Sequence, residues 1–140
     1  MKFSTRKYHN RTYLYCGIEF DSKLEGQRYL YLKSLEDEGK ITNLRRQVKY
    51  ELVPKQLKEV VIQLKTKTRV ETRVAENPVE YIADFVYEVP GMDRPVIEDT
   101  KGFKTKDYII KRKLMRFQGN PITEIKKPTE TINGIREEGR

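Results

Sequence analysis

The stretch Val96-Ile97-Glu98-Asp99-Thr100-Lys101-Gly102 sets an acid and a lysine two residues apart, just ahead of a glycine. Side chains in a strand alternate between faces, so Asp99 and Lys101 share one face with Ile97, and Glu98 and Thr100 point the other way. A carboxylate can bind a hard cation through oxygen, and an ammonium beside it can hold a water or meet charge developing on a phosphate. Gly102 lets a bulky backbone come close. A second acid, Asp84, stands alone among apolar and aromatic neighbours in Tyr81-Ile82-Ala83-Asp84-Phe85-Val86-Tyr87. A carboxylate inside a strand that otherwise reads as core is costly unless it is paired or metal-bound. If the two strands are adjacent, Asp84 and Asp99 can converge on one Mg²⁺, with water and substrate oxygens filling an octahedral shell. Plainer readings exist for each part: an arginine of a neighbouring strand as partner for Asp84, and a surface ion pair for Asp99 and Lys101. The combination of strand acid, turn, acid-x-Lys-Gly and basic helix is more specific than any of its parts.

These residues need elements to hold them. Residues 12–20 (TYLYCGIEF) read as one strand or a short hairpin turning at Gly17, because aromatic and β-branched types dominate. A helix is predicted over 23–38. Ser22 is its N-cap, Glu25 stands at capping-box spacing, and Leu24, Arg28, Tyr31, Leu32 and Leu35 form its stripe. Gly39 is placed to end it in the left-handed conformation. Residues 44–53 read as a strand stopped by Pro54. Residues 60–74 and 79–89, joined through Asn77-Pro78, are expected to form a long antiparallel hairpin. A short strand over 95–101 follows. A second helix over 106–117, capped by Thr105, is expected to bury Ile110, Leu114 and Phe117, and 122–125 reads as a last strand. Residues 1–11 read as a flexible arm, 1–126 as a single domain, and 127–140 as a disordered tail. The order predicts an α/β protein with a mixed central sheet flanked by helices.

The chain of 140 residues is sized for one domain, and its 29 basic against 21 acidic side chains leave it at +8, a balance that suits a polyanionic partner such as nucleic acid. No apolar run approaches the roughly 18 residues a membrane span needs. Cys16 has no partner and MKFSTRKYHN has no apolar leader, so an intracellular, reducing compartment is expected. His9 is the one histidine, which argues against a zinc site or a Ser-His-Asp triad. Lys101, Lys104, Lys106, Lys111, Arg112, Lys113 and Arg116 gather charge around the second helix against a single acid, Asp107. Such residues supply phosphate contacts without reading sequence. Lys65, Lys67, Arg69 and Arg73 could form a second gripping arm, and Tyr8 and His9 could stack on a base.

Five segments in order, 20–41 (FDSKLEGQRYLYLKSLEDEGKI), 43–54 (NLRRQVKYELVP), 81–87 (YIADFVY), 96–102 (VIEDTKG) and 110–115 (IKRKLM), resemble the PD-(D/E)XK, or restriction-endonuclease-like, nucleases. Within them the likeness is to a phage-encoded branch of Holliday-junction-resolvase-like endonucleases. The resemblance implies a restriction-endonuclease-like fold. It implies Asp84 as the first metal-binding acid, Asp99 and Lys101 as the acid and lysine of the triplet, and Glu25 as a further metal ligand. Ala83 stands where the superfamily motif names a proline. Glu25 also fits as the capping-box partner of Ser22, so both roles stay open. Gln47 either reaches substrate or satisfies backbone. The implied activity is Mg²⁺-dependent hydrolysis of DNA phosphodiester bonds, with Mn²⁺ as a substitute. Branched DNA in phage recombination or replication is the implied substrate. Lys104, Lys106, Lys111, Arg112, Lys113 and Arg116 would sit on the backbone, and a homodimer would suit cutting of two strands. The rival expectations are a non-catalytic nucleic-acid-binding module of the same fold and an RNA-binding protein.

Overall fold

The computed structural model describes residues 12–133 and 135, so the arm over 1–11, with Tyr8 and His9, lies outside the described residues. The chain is a mixed α/β protein. In order its elements are β1 (Tyr13–Tyr15), β2 (Ile18–Phe20), α1 (Lys23–Asp37), β3 (Thr42–Val53), β4 (Gln56–Gln63), β5 (Thr68–Glu76), β6 (Val79–Glu88), β7 (Val96–Thr100), α2 (Lys106–Phe117) and β8 (Thr123–Ile125). The central sheet runs β3-β6-β7-β8, antiparallel except for the β7–β8 pair. β1 and β2 form a hairpin whose two turn residues, Cys16 and Gly17, both have positive φ, as a two-residue turn matched to strand twist requires.

Both helices begin and end where their terminal residues dictate. Ser22 Oγ accepts from the Glu25 amide at 3.0 Å, and Thr105 Oγ1 accepts from the Tyr108 amide at 3.1 Å. At the end of α1, Gly39 takes φ 76°. Its amide donates to the Glu36 carbonyl and the Lys40 amide to that of Leu35, the paired bonds of a Schellman motif. Gly26 sits inside α1 despite its low helix propensity, because a Cβ there would lie 2.2 Å from Cδ2 of Tyr15. The glycine is what allows the β1–β2 hairpin to lie against the helix.

Two apolar clusters fill the space between helices and sheet. Phe20, Leu32, Leu35, Ile41, Phe85, Tyr87 and Val89 pack on the α1 side. Leu52, Tyr81, Ala83, Val86, Ile97, Tyr108 and Met115 pack on the α2 side. Strict alternation would put Ala83 and Phe85 on one face, yet they belong to different clusters. The change-over falls at Asp84. On β3 it falls at the residue opposite, Gln47, which has φ 51° (the Val48–Ala83 and Arg46–Phe85 pairs fix that register). Both strands therefore exchange faces at the level of the acid.

Three expectations are corrected. The hairpin is β4 with β5, turning at 64–67 where the Leu64 amide meets the Lys67 carbonyl. Asn77-Pro78 only links it to β6. The reason is burial: β6 is apolar on both faces and must lie between two strands, whereas β4 and β5 leave Leu57, Val61, Val70 and Val74 exposed. On α2, Tyr108 and Met115 face the sheet, and Ile110 and Phe117 point outward at 58% and 88% exposure. Both pairs have heptad spacing, so periodicity alone could not choose between them. The tail is not loose from residue 127: Ile132 is buried in the α1-side cluster, and the carbonyls of Pro128 and Glu130 are held by Arg28.

Candidate active site

β6 and β7 are neighbours, and their backbone ladder runs from Tyr87–Val96 to Phe85–Glu98. At the next step the pairing changes. The Thr100 amide and hydroxyl both donate to Asp84 Oδ2, at 2.8 Å each, so a carboxylate takes the place of a backbone acceptor. The strands part there, and the gap between them and α2 is a cleft lined by Tyr81, Asp84, Asp99, Lys101, Tyr108 and Lys111.

Within the cleft Asp99 is 2% exposed. Tyr81 donates its hydroxyl to Asp99 Oδ2 at 2.5 Å, and Lys101 Nζ stands 3.3 Å from Oδ1. Oδ1 itself is buried and accepts no hydrogen bond, an uncommon state for a carboxylate oxygen. The Lys101 ammonium also lies over the ring of Tyr108, 4.7 Å from its centroid. Burial and the bond to Asp99 push the Tyr81 phenol far above the ordinary tyrosine range, which makes it a permanent donor. Burial and the nearby Asp99 charge raise Asp84, and the Thr100 bonds only partly offset them.

Glu98 goes to the opposite face, as alternation requires. It is buried against Arg28, with Arg28 Nε and Nη2 donating at 2.7 and 2.6 Å and the Tyr87 hydroxyl donating to the same carboxylate. The acid of the triplet that meets Lys101 is thus Asp99.

Glu25 approaches from the α1 side. The capping box is half formed: Ser22 caps the Glu25 amide, but the Glu25 carboxylate accepts from Gln47 Nε2 at 2.9 Å and stands 3.9 Å from Arg46. Gln47, exposed on β3, thus gives its side-chain amide to Glu25. Burial, then the charge of Asp84, push Glu25 up to about 7. Its carboxyl is not part of the cleft lining; it meets the site through Asp84. Among the described residues no group of three or more His, Cys, Asp or Glu side chains stands ready to hold a metal ion. Asp84 and Asp99 stand at the point where the strands part and could offer oxygens to a hard cation; Glu80 and Asp107 also line the cleft.

A raised carboxyl pKa means that between about 4.5 and about 7 the folded chain binds more protons at Glu25 than the unfolded chain does. Metal-free stability should therefore fall as pH rises through that window and level off above it. Glu25→Gln is expected to flatten the fall and to raise the urea midpoint above pH 7. An unchanged pH slope in the variant would show that Glu25 is not the group responsible.

The basic residues divide. Lys104 and Arg112 are engaged by Glu124, each at 3.0 Å. Lys111 lines the cleft, and Lys106, Lys113 and Arg116 are exposed along α2. Tyr81 and Tyr108 were absent from the sequence-based site. In an apolar strand and on an amphipathic helix they read as core, and core is what most of each ring is. Only the clash between a buried acid and its surroundings could have hinted that one of them donates a bond.

A four-stranded mixed sheet between two helices, opening beside two acids and a lysine, is the class of protein defined by this fold and site. Residues 5–129 match the family described as Protein of unknown function (DUF1064), and the chain belongs to that family. No curated protein and no solved structure matches it. No helix among the described residues is long and apolar enough to cross a membrane.

Proposed function

We propose that this protein is a Mg²⁺-dependent DNA endonuclease of the PD-(D/E)XK, restriction-endonuclease-like kind, acting on branched, Holliday-junction-like DNA. The observation that carries the reading is the meeting of Asp84, Asp99 and Lys101 in one cleft, with a buried Asp99 oxygen that accepts no hydrogen bond. Mg²⁺ is typically bound by one or two carboxylates together with waters and substrate phosphate, so the Asp84–Asp99 pair suits it. When bound, the ion would acidify water and neutralise charge on the phosphate under attack. Asp84 and Asp99 would hold it. Tyr81 fixes the Asp99 carboxylate through Oδ2, and the cation would share Oδ1 with Lys101 Nζ, 3.3 Å away. Lys101 would orient the attacking water and meet negative charge as it develops. Lys111 at the cleft, with Lys106, Lys113 and Arg116 on α2, would take the flanking phosphates.

The test is a panel of four-way junction, flap, nicked and linear DNA, incubated with Mg²⁺, with Mn²⁺ or with EDTA. Nicking of branched substrates with either metal and none with EDTA is expected. Binding without cutting under every condition would instead identify a non-catalytic nucleic-acid-binding module.

A further inference from the structure

The loop from Lys101 to Thr105 joins the end of β7 to the start of α2, and at its tip Phe103 is 80% exposed. A phenylalanine left in water forgoes the free energy of burial. The surface recess it borders is shared with one apolar side chain, Leu24, and with Gly102 and three lysines, Lys101, Lys104 and Lys126. Lys101 and Lys104 are held by Asp99 and Glu124, and the exposed Lys126 leaves an aromatic face with a cation beside it, which matches a ligand that is planar on one side and anionic on the other. Phe103 also stands two residues beyond Lys101, the lysine of the candidate site.

We infer that Phe103 stacks on an unpaired nucleobase of the DNA, with Lys126 on its phosphates. This rests on the nuclease reading and narrows its substrate. In a continuous duplex both faces of every internal base are covered by neighbours. A ring at this position gains a partner only where a base is splayed out, as at a junction, a fork or a flap. Base–aromatic stacking is indifferent to sequence, so the selectivity it gives is for DNA shape. Phe117 is similarly exposed, but it lies at the far end of α2, and nothing joins it to the cleft.

The chain contains no tryptophan, so Phe103→Trp makes a single-tryptophan reporter of the full-length protein. In EDTA, where nothing is cut, short oligothymidylate and forked duplex should quench its fluorescence. A blunt duplex should bind, as read by anisotropy of a labelled strand, and leave the fluorescence unchanged. Phe103→Ala should weaken oligothymidylate about tenfold or more and blunt duplex hardly at all, and Phe103→Tyr should restore the affinity where Phe103→Leu does not. Anisotropy showing binding of every DNA with no change in tryptophan emission would overturn the stacking role and leave the nuclease reading standing. Stronger quenching by oligouridylate than by oligothymidylate would overturn DNA as the ligand. Failure to bind any nucleic acid would overturn the nuclease reading itself.

Discussion

Asp99→Asn is expected to lower the proposed Mg²⁺-dependent cleavage by about a thousand-fold or more, the several kcal/mol that a metal-holding carboxylate would contribute to the transition state. Asp84→Asn is expected to do the same. Neither change should unfold the protein. An asparagine oxygen can still accept from Tyr81 at position 99, or from Thr100 at position 84. Burial and mutual repulsion already push Asp84 toward its neutral form, so an uncharged side chain at either position relieves the metal-free protein. Affinity for DNA in EDTA should hold or rise, since one negative charge leaves a cleft that would receive phosphate. The measurement is single-turnover cleavage of a labelled four-way junction beside a binding isotherm on the same DNA. Variants that cut as fast as the parent would remove these acids from the chemistry. Variants that lose cutting and binding together would move them from catalysis to substrate grip.

The acid–lysine pair was legible because alternation along a strand is a strong geometric rule. It assigned Asp99 to the face of Lys101 and Glu98 to the other, and both stand there. The helices were legible through their ends, since Ser22, Thr105 and Gly39 act within one turn of themselves. What could not be read was long-range pairing. Residues 60–74 and 79–89 both carry strand composition around an Asn-Pro turn, and nothing local says that β6 leaves that partner to lie between β3 and β7. The change of face at Gln47 and Asp84 was hidden for the same reason, because a positive φ at glutamine follows from what surrounds it and not from its own preference. Arg28 offered an unused signal. A charged side chain at a core position of a helical stripe requires a buried partner, and Glu98 was the acid left over once Asp99 had been assigned.

Breaking that pair should cost a large part of the fold's stability. Arg28 and Glu98 side chains are 0% and 1% exposed, and the guanidinium makes four bonds, two to Glu98 and two to the carbonyls of Pro128 and Glu130. Burial works against the Arg28 charge, yet the bonds and charge of Glu98 more than offset it and keep its pKa raised. Arg28→Met would leave the Glu98 carboxylate buried with only the Tyr87 hydroxyl. It would also leave two carbonyls without their donor, and the cost is about 3–5 kcal/mol in urea unfolding. Glu98→Gln should approach the same loss, because a buried guanidinium without a counter-charge is no cheaper. The double variant should cost clearly less than the sum of the two, since each single change already breaks the same ion pair. A second readout is local. With Arg28 gone, trypsin should cut after Lys126 faster than it does in Glu98→Gln, where the guanidinium can still hold Pro128 and Glu130. Additive losses in the double variant, or equal cutting of all three, would mean that Arg28 does not tie the C-terminal segment to the sheet. That tie bears on the site, because Glu98 and Asp99 are consecutive on β7. The residue fixed to α1 from one face of the sheet holds in place the strand that presents the acid on the other.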